Sequence, residues 1–218
     1  MQDFNSNCFG KYTNRYKFVL SNVIMSKAEQ TKAFIIERTA PVFNRKGYAG
    51  TSLSDLTMAT GLTKGSIYGN FADKDAVALA AFDFNLAKVN ALFAAEMARE
   101  ATSREKLLVY VRLYSRFHKY PFPAGGCPVM NTGIESDDTH PGLKAKASEA
   151  LVAWKNQIAG LIRKGIKERE FSGHTDVEQS ALSILALIEG ATLIGGTTGN
   201  SAYRNTIMRT VKNIIETL

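Results

Sequence analysis

Apolar residues recur at helical spacing from Lys27 to the end of the chain, and the alternation that is typical of strands is nearly absent. Between Lys27 and Lys46 one face of the predicted helix is apolar, and Gly47 is suited to end it because glycine tolerates the left-handed conformation. Pro41 lies inside this segment and predicts a kink, since proline lacks the backbone N–H that a helix uses there. The pattern predicts an all-α protein.

Polar residues that cap helices mark the beginnings of several further helices. Such caps are Ser52 with Asp55, Thr63, Asp73, Thr102 with Glu105, and Thr175 with Glu178. Pro141 is suited to a first helical turn, because its fixed φ angle fits a helix and its missing N–H would have no partner there. The pattern predicts about nine helices, over residues 27–46, 53–60, 64–71, 74–99, 103–119, 129–135, 141–169, 181–194 and 203–218. The helix at 129–135 is expected to be a single turn within a long loop.

Composition narrows the class of protein and its compartment. The 218 residues carry a formal net charge of +7, which favours a polyanionic partner such as nucleic acid. Cys8 and Cys127 are too few and too far apart for a disulfide framework, which favours a reducing compartment. The apolar run 18–20 follows basic residues as in a signal peptide, but the polar residues 21–22 interrupt it. We therefore expect residues 1–25 to be a disordered extension of a cytoplasmic protein.

Two short capped helices joined by a turn at Gly61 form a helix-turn-helix pattern within residues 51–74. Leu56 and Ile67 are expected to lie in its core. The second helix presents short polar groups to solvent, which suits the major groove of DNA because base edges are recognised there by hydrogen bonds. An ordinary pair of surface helices could have the same spacing, so the spacing alone leaves both interpretations open.

The residues themselves resemble the TetR/AcrR family of bacterial regulators. The resemblance lies in Phe-Asn-Arg-Lys-Gly-Tyr at 43–48, Thr-Ser at 51–52, Gly-Leu-Thr-Lys-Gly-Ser-Ile-Tyr-Gly-Asn-Phe at 61–71 and Asp-Lys-Asp at 73–75. It implies a transcriptional regulator with a three-helix DNA-binding domain at 26–73 and an effector-binding and dimerisation domain at 74–218. The family's usual activity would make it a homodimeric repressor that a small molecule releases from a palindromic operator in double-stranded DNA, without a cofactor.

The resemblance also implies which residues contact DNA. Hydroxyls, helix N-termini and lysines would bind phosphates, and the second helix of the motif would face bases. The predicted DNA-binding residues are Thr51, Ser52, Thr63, Lys64, Gly65, Ser66, Tyr68, Gly69, Asn70 and Lys74. This chain departs from the family at Gly69 and Asn70, where bulky aromatic or histidine side chains are usual.

The helix predicted at 181–194 is apolar on nearly every face, which indicates burial on both sides. Together with the last helix it is the predicted dimer seam. Glu189 divides the apolar run, so neither part is long enough to cross a membrane.

Aromatic side chains on two predicted helices are candidates to line an effector pocket, although such stripes are more often simple core. The predicted pocket residues are Tyr110, Tyr114, Phe117, His118, Cys127, Asn131, Trp154 and Ile158. Cys127 is either an inert buried residue or a reactive thiolate that senses electrophiles. Asp137, Asp138 and His140 are close in sequence, but no metal site is predicted, because such loop groups are usually solvated.

No motif typical of hydrolases, nucleotide-binding enzymes or metalloproteases occurs, so no catalytic residue is predicted. The alternative function is a helical transferase or hydrolase that uses Cys127 and His118. Turnover of a small substrate would distinguish this alternative from a regulator that binds DNA.

Overall fold

The computed structural model describes residues 26–218, and within them it consists of nine α-helices and one 3₁₀ helix, with no strand. The all-α prediction is confirmed. The α-helices are α1 Lys27–Lys46, α2 Leu53–Thr60, α3 Lys64–Tyr68, α4 Lys74–Met97, α5 Ser103–Ser115, α6 Pro128–Ser136, α7 Pro141–Lys167, α8 Val177–Thr197 and α9 Ser201–Thr217. The 3₁₀ helix is Phe117–Lys119. The expectation for residues 1–25, and with it Cys8, lies outside the described residues.

Most of the predicted caps begin helices as the sequence indicates. Ser52 accepts a hydrogen bond from the Asp55 N–H (3.1 Å), and the Asp55 carboxylate accepts one from the Ser52 N–H (2.9 Å). Thr102 and Glu105 form the same reciprocal pair. Asp73 accepts a hydrogen bond from the Ala76 N–H (2.7 Å). These interactions are local, and each removes an unpaired backbone donor at a helix start.

Several predicted helix boundaries are wrong. Asp176, rather than Thr175, caps α8, because its carboxylate accepts the Gln179 N–H (3.0 Å) and the helix begins four residues before Ala181. Residues 128–136 form nine residues of helix rather than a single turn. The helix predicted to reach residue 119 stops at Ser115 and is followed by the 3₁₀ helix.

Contacts divide the described residues into two compact units, the first of which comprises 26–91 with 123–144. In it α2 packs on α1, and α6 also contacts α1. Its core side chains include Ile35, Leu56, Ile67 and Val77, which are fully buried. These contacts hold α2 on the longer α1, and α3 contacts α2.

The second unit comprises residues 92–122 with 145–218, and α9 packs in it against α8 and α5. Arg104 fastens the start of α5, since its guanidinium donates to the carbonyls of Ile215 and Glu170 (both 2.7 Å). The Glu170 carboxylate accepts the N–H groups of Ser103 and Arg104. The functional division of the chain at residue 73 stays a prediction.

Two helices of the described chain, α4 and α8, are long and apolar enough to cross a membrane by length and composition alone, so Glu189 does not make α8 too short, contrary to the prediction from the sequence pattern. Each also supplies fully or almost fully buried side chains, such as Val77 and Ala81 on α4 and Ile184 and Ile188 on α8. Core helices of soluble proteins commonly have this composition.

Candidate nucleic-acid interface

The turn between α2 and α3 is built from Gly61 and the threonine before it. Gly61 has φ +68° and its N–H donates to the Thr57 carbonyl (2.8 Å), which ends α2 in the left-handed conformation. The Thr60 hydroxyl donates to the Leu56 carbonyl (2.7 Å) and accepts the Leu62 N–H (3.2 Å). The turn therefore satisfies its own backbone groups and leaves the outer face of α3 uncovered.

Ile67 is buried in α3, whereas Lys64, Gly65 and Ser66 of the same helix and Gly69 directly after it are exposed. Thr63, also exposed, caps the helix by accepting the Ser66 N–H (3.2 Å). Tyr68 and Asn70 are half-buried. This arrangement places most of the predicted contact residues on one short, accessible element.

Helix α3 ends at Tyr68, three residues before the predicted end. The Asn70 side-chain amide donates to the Ser66 carbonyl (2.8 Å), and the Gly69 N–H donates to the Gly65 carbonyl (2.8 Å). Asn70 therefore closes the helix, and its side-chain oxygen is the group that remains to accept from a base.

Thr51 and Ser52 differ in what they can offer to a phosphate. Thr51 is 1% exposed, and its hydroxyl already donates its proton to the Gly47 carbonyl (2.6 Å), so its predicted contact with a phosphate stays a prediction. Ser52 is exposed at the start of α2. Lys46 lies beside it and pairs with Asp55 (2.5 Å), and this hydrogen bond, together with those from Ser52, lowers the pKa of Asp55 to about 2.

Lys74 at the start of α4 is positioned by an aromatic ring that the sequence pattern does not identify. Its Nζ lies 4.2 Å from the centre of the Tyr48 ring, within the range of a cation–π interaction. The Tyr48 hydroxyl donates to Asp75, and that bond raises the pKa of Tyr48 to about 12. The His140 ring meets Tyr48 edge to face at 4.6 Å, and its Nε2 is 3.6 Å from Asp75.

Glu135 of α6 holds the turn that precedes α2. Its carboxylate accepts the N–H groups of Tyr48 (2.7 Å) and Ala49 (2.8 Å). A methyl group at Gly47 would overlap the carboxylate, so only glycine allows this approach. The Gly-Tyr pair at 47–48 carries a sequence signal, but the carboxylate partner is 87 residues away from Tyr48 and could not be found from spacing.

The eight predicted pocket residues are divided between the two units. Tyr110, Tyr114, Trp154 and Ile158 are buried in the second unit, where Phe117 is half-buried and His118 exposed. Cys127 and Asn131 belong to the first unit. There the buried Cys127 thiol accepts the Met130 N–H (3.4 Å) and caps α6.

Asn131 has a structural role in the first unit. Its amide donates to the carbonyls of Asn44 (3.0 Å) and Gly125 (2.8 Å) and so ties the loop before α6 to the end of α1. It also borders a cavity of about 30 Å³, which has room for water but not for an organic effector. Within residues 26–218, no three His, Cys, Asp or Glu side chains are grouped as metal ligands, and Asp137 pairs with Lys144 at 2.8 Å.

Comparison with known proteins identifies the family. A family model described as "Bacterial regulatory proteins, tetR family" matches residues 35–81, and one described as "Tetracyclin repressor-like, C-terminal domain" matches residues 103–211. A TetR-family regulator of known structure from Cytophaga hutchinsonii is 50% identical, with a TM-score of 0.86 over 88% of this chain and 96% of that chain. The chain belongs to the TetR family.

Two further relatives agree with this assignment. The TetR regulator from Chloroflexus aurantiacus J-10-FL is 34% identical, with a TM-score of 0.83 over 88% of this chain and 96% of that chain. The probable HTH-type transcriptional regulator ArpR from Pseudomonas putida is 26% identical over 176 residues, which cover 78% of this chain and 80% of ArpR. This TetR-family protein is accordingly a DNA-binding transcriptional regulator, and its helix-turn-helix consists of α2 and α3.

Proposed function

We propose that the protein is a homodimeric cytoplasmic repressor that binds a palindromic operator and leaves it when a small molecule binds within residues 74–218. The observation that carries the proposal is the exposed polar face of α3, held on a self-capped turn inside the family motif. A single helix fits the major groove, and two copies would read two half-sites one helical turn apart. Effector release requires that the effector bind the released conformation more tightly.

The proposed contacts with DNA divide into two groups. Ser66, Gly69 and Asn70 face base edges, with Gly65 and Tyr68 packed close to the groove. Ser52, Thr63, Lys64 and Lys74 contact phosphates on both sides of it. These flanking groups stand at or beside helix N-termini, where backbone N–H groups and the helix dipole favour an anion. Phosphate contacts set the position of α3, and base contacts set the sequence that it prefers.

We expect Asn70→Ala to change which base is preferred at one position of each half-site, with a loss of about 1–3 kcal/mol against the original base. The change follows because the side-chain oxygen of Asn70 is no longer present to accept a hydrogen bond. The measurement is binding to a panel of single-base variants of a selected site. Asn156→Ala, at an exposed asparagine on α7, is the control and should leave the profile unchanged. An unchanged profile in both variants would show that the Asn70 side chain does not contact a base.

Tyr48 should act as a positioning residue for Lys74. Tyr48→Phe keeps the ring beneath the Lys74 ammonium and is expected to bind DNA as the wild type does. Tyr48→Leu removes the ring, and we expect it to weaken binding by about 2- to 5-fold, in line with a cation–π contribution of about 0.5–1 kcal/mol. Fluorescence anisotropy on one operator measures both. Equal losses in both variants would assign the effect to the hydroxyl bond with Asp75 instead.

The surface that we propose for dimerisation lies on α8 and α9. Leu182, Leu193, Ile194 and Tyr203 are between 43% and 55% exposed, which is unusual for large apolar side chains on two packed helices. Gly190 and Gly196 on α8 have open space where a larger residue would carry its Cβ atom, and this space would let a second backbone approach closely. A second copy of the chain would bury this surface.

Leu193→Glu is expected to yield a monomer, because burial of two unpaired carboxylates across a symmetric seam is unfavourable. Sedimentation velocity measures the mass. Affinity for a two-half-site operator should fall about 100-fold or more, since the second half-site no longer contributes. Ile134→Glu on α6, where the side chain is 68% exposed, is the matched control and should remain dimeric. A dimeric Leu193→Glu variant would refute this seam.

A further inference from the structure

Five aromatic rings form a continuous row within the second unit. The ring centres of Tyr110 and Phe93 are 4.8 Å apart, and those of Phe93 and Tyr114 are 5.8 Å apart. Tyr114 follows Phe117 at 6.3 Å, and Phe117 stacks on Phe122 at 4.2 Å with an interplanar angle of 11°. The Tyr110 end of the row is buried, whereas Phe117 and Phe122 are half-buried and reach solvent. The row therefore reaches solvent at its Phe117 and Phe122 end.

Arg204 of α9 stands at the accessible end of this row. Its guanidinium carbon lies 5.1 Å from the centre of the Phe117 ring. A methyl group on Gly195 would lie 3.0 Å from the Arg204 Nε, so the glycine leaves room for the guanidinium against α8. The Nε is buried, and among residues 26–218 it has neither a hydrogen-bond acceptor nor a carboxylate within salt-bridge distance. A half-buried cation in this state has uncompensated charge and an unused donor.

The buried end of the row also has a polar group without a partner. The Tyr110 side chain is 6% exposed, and its hydroxyl makes no hydrogen bond within the described part of the chain. Burial raises the pKa of Tyr110, so the phenol keeps its proton and remains a donor. A buried donor without an acceptor costs about 1–3 kcal/mol, and native proteins rarely retain one without a reason. Two donors, the Tyr110 hydroxyl and the Arg204 Nε, therefore lack acceptors at the two ends of the aromatic row.

We propose that this row binds the effector and that the effector is an organic anion with a flat apolar body. Its carboxylate or sulfonate pairs with the Arg204 guanidinium, its body lies against Phe117 and Phe122, and a polar atom further along accepts from Tyr110. The guanidinium selects the acid over the neutral analogue, because only the acid brings the negative charge that forms an ion pair with the partly buried cation. This inference rests on the proposed function, which supplies the existence of an effector.

Calorimetric titration of the purified full chain with 2-naphthoate and with 2-naphthylmethanol tests the proposal, since the two probes share the ring system and differ in charge. We expect 2-naphthoate to bind about tenfold or more tightly than the alcohol. Arg204→Met should remove this preference. Arg209→Met is the matched control on the same helix, where the exposed side chain donates to the Thr206 hydroxyl (3.0 Å), and it should keep the preference. Equal binding of the two probes, no binding of 2-naphthoate, or an unchanged preference in Arg204→Met would overturn the proposal.

Phe117→Leu provides a second test that leaves the arginine in place. It should weaken the binding of 2-naphthoate, because it removes one of the two stacked rings, Phe117 and Phe122, that reach solvent. Unchanged binding would contradict the proposed site even if Arg204→Met failed to fold. Operator binding without any probe is measured on the same samples. If the protein binds its operator but does not distinguish the two probes, the anion site is refuted and the proposed regulator is not. If the wild type binds no operator, the proposed regulator itself is refuted.

Discussion

Gly47→Ala is expected to lower the free energy of unfolding by about 3–5 kcal/mol. Gly47 has φ +71° and ψ 178°, a region of backbone conformation that is essentially restricted to glycine. The added methyl would also overlap the Glu135 carboxylate, which would have to leave the N–H groups of Tyr48 and Ala49. Urea denaturation followed by circular dichroism measures the change.

Gly61→Ala is the matched control for this prediction. Gly61 also has a positive φ, +68°, but a methyl group there meets no atom within 4 Å. Gly61→Ala should therefore lower the free energy of unfolding only by the conformational strain, about 1–2 kcal/mol. Losses of equal size in the two variants would show that the contact with Glu135 contributes nothing, and that conformation alone explains the glycine at position 47.

The double substitution of Lys64 and Lys74 by methionine is expected to weaken operator binding about 100-fold, at about tenfold per lysine. Each lysine stands at the first position of a helix, beside backbone N–H groups that also attract phosphate. The loss should be similar for all DNA sequences, because phosphate contacts carry no sequence information. The slope of log K against log salt concentration should become shallower by about 2.

Lys88→Met on α4 is the control for charge alone, because Lys88 is exposed and lies over the Phe84 ring, away from the helix starts. It changes the net charge by the same amount as either single lysine variant. An effect of Lys88→Met as large as that of Lys74→Met would indicate general electrostatic attraction instead of a defined phosphate contact.

The local features of this fold follow from the sequence well. The caps at Ser52, Thr63, Asp73 and Thr102 lie within three residues of the backbone groups that they satisfy, so spacing alone identifies them. Spacing does not separate Thr175 from Asp176, because they are neighbours and both residue types can cap a helix. The contact that distinguishes them, between Asp176 and the Gln179 N–H, is visible only in the structure.

The candidate site follows from the sequence less completely, because several of its side chains are defined by partners far along the chain. The motif identifies Lys74 as a phosphate contact, but it does not identify the Tyr48 ring beneath it or the Glu135 carboxylate behind the turn. The place of Thr51 in the motif predicts a phosphate contact, whereas in the structure its side chain is 1% exposed and its hydroxyl donates to the Gly47 carbonyl. The burial of Thr51 depends on how α1 packs against other elements, and the residue pattern of a single segment does not predict that packing.

The central claim is that α3 and its flanking residues recognise a defined DNA sequence. Selection of bound duplexes from a random pool, using the full chain, tests it most directly. We expect enrichment of a single site with two half-sites related by a two-fold axis, and binding to that site should weaken steeply as salt is raised. A selected pool with no sequence enriched over the starting DNA would contradict the claim.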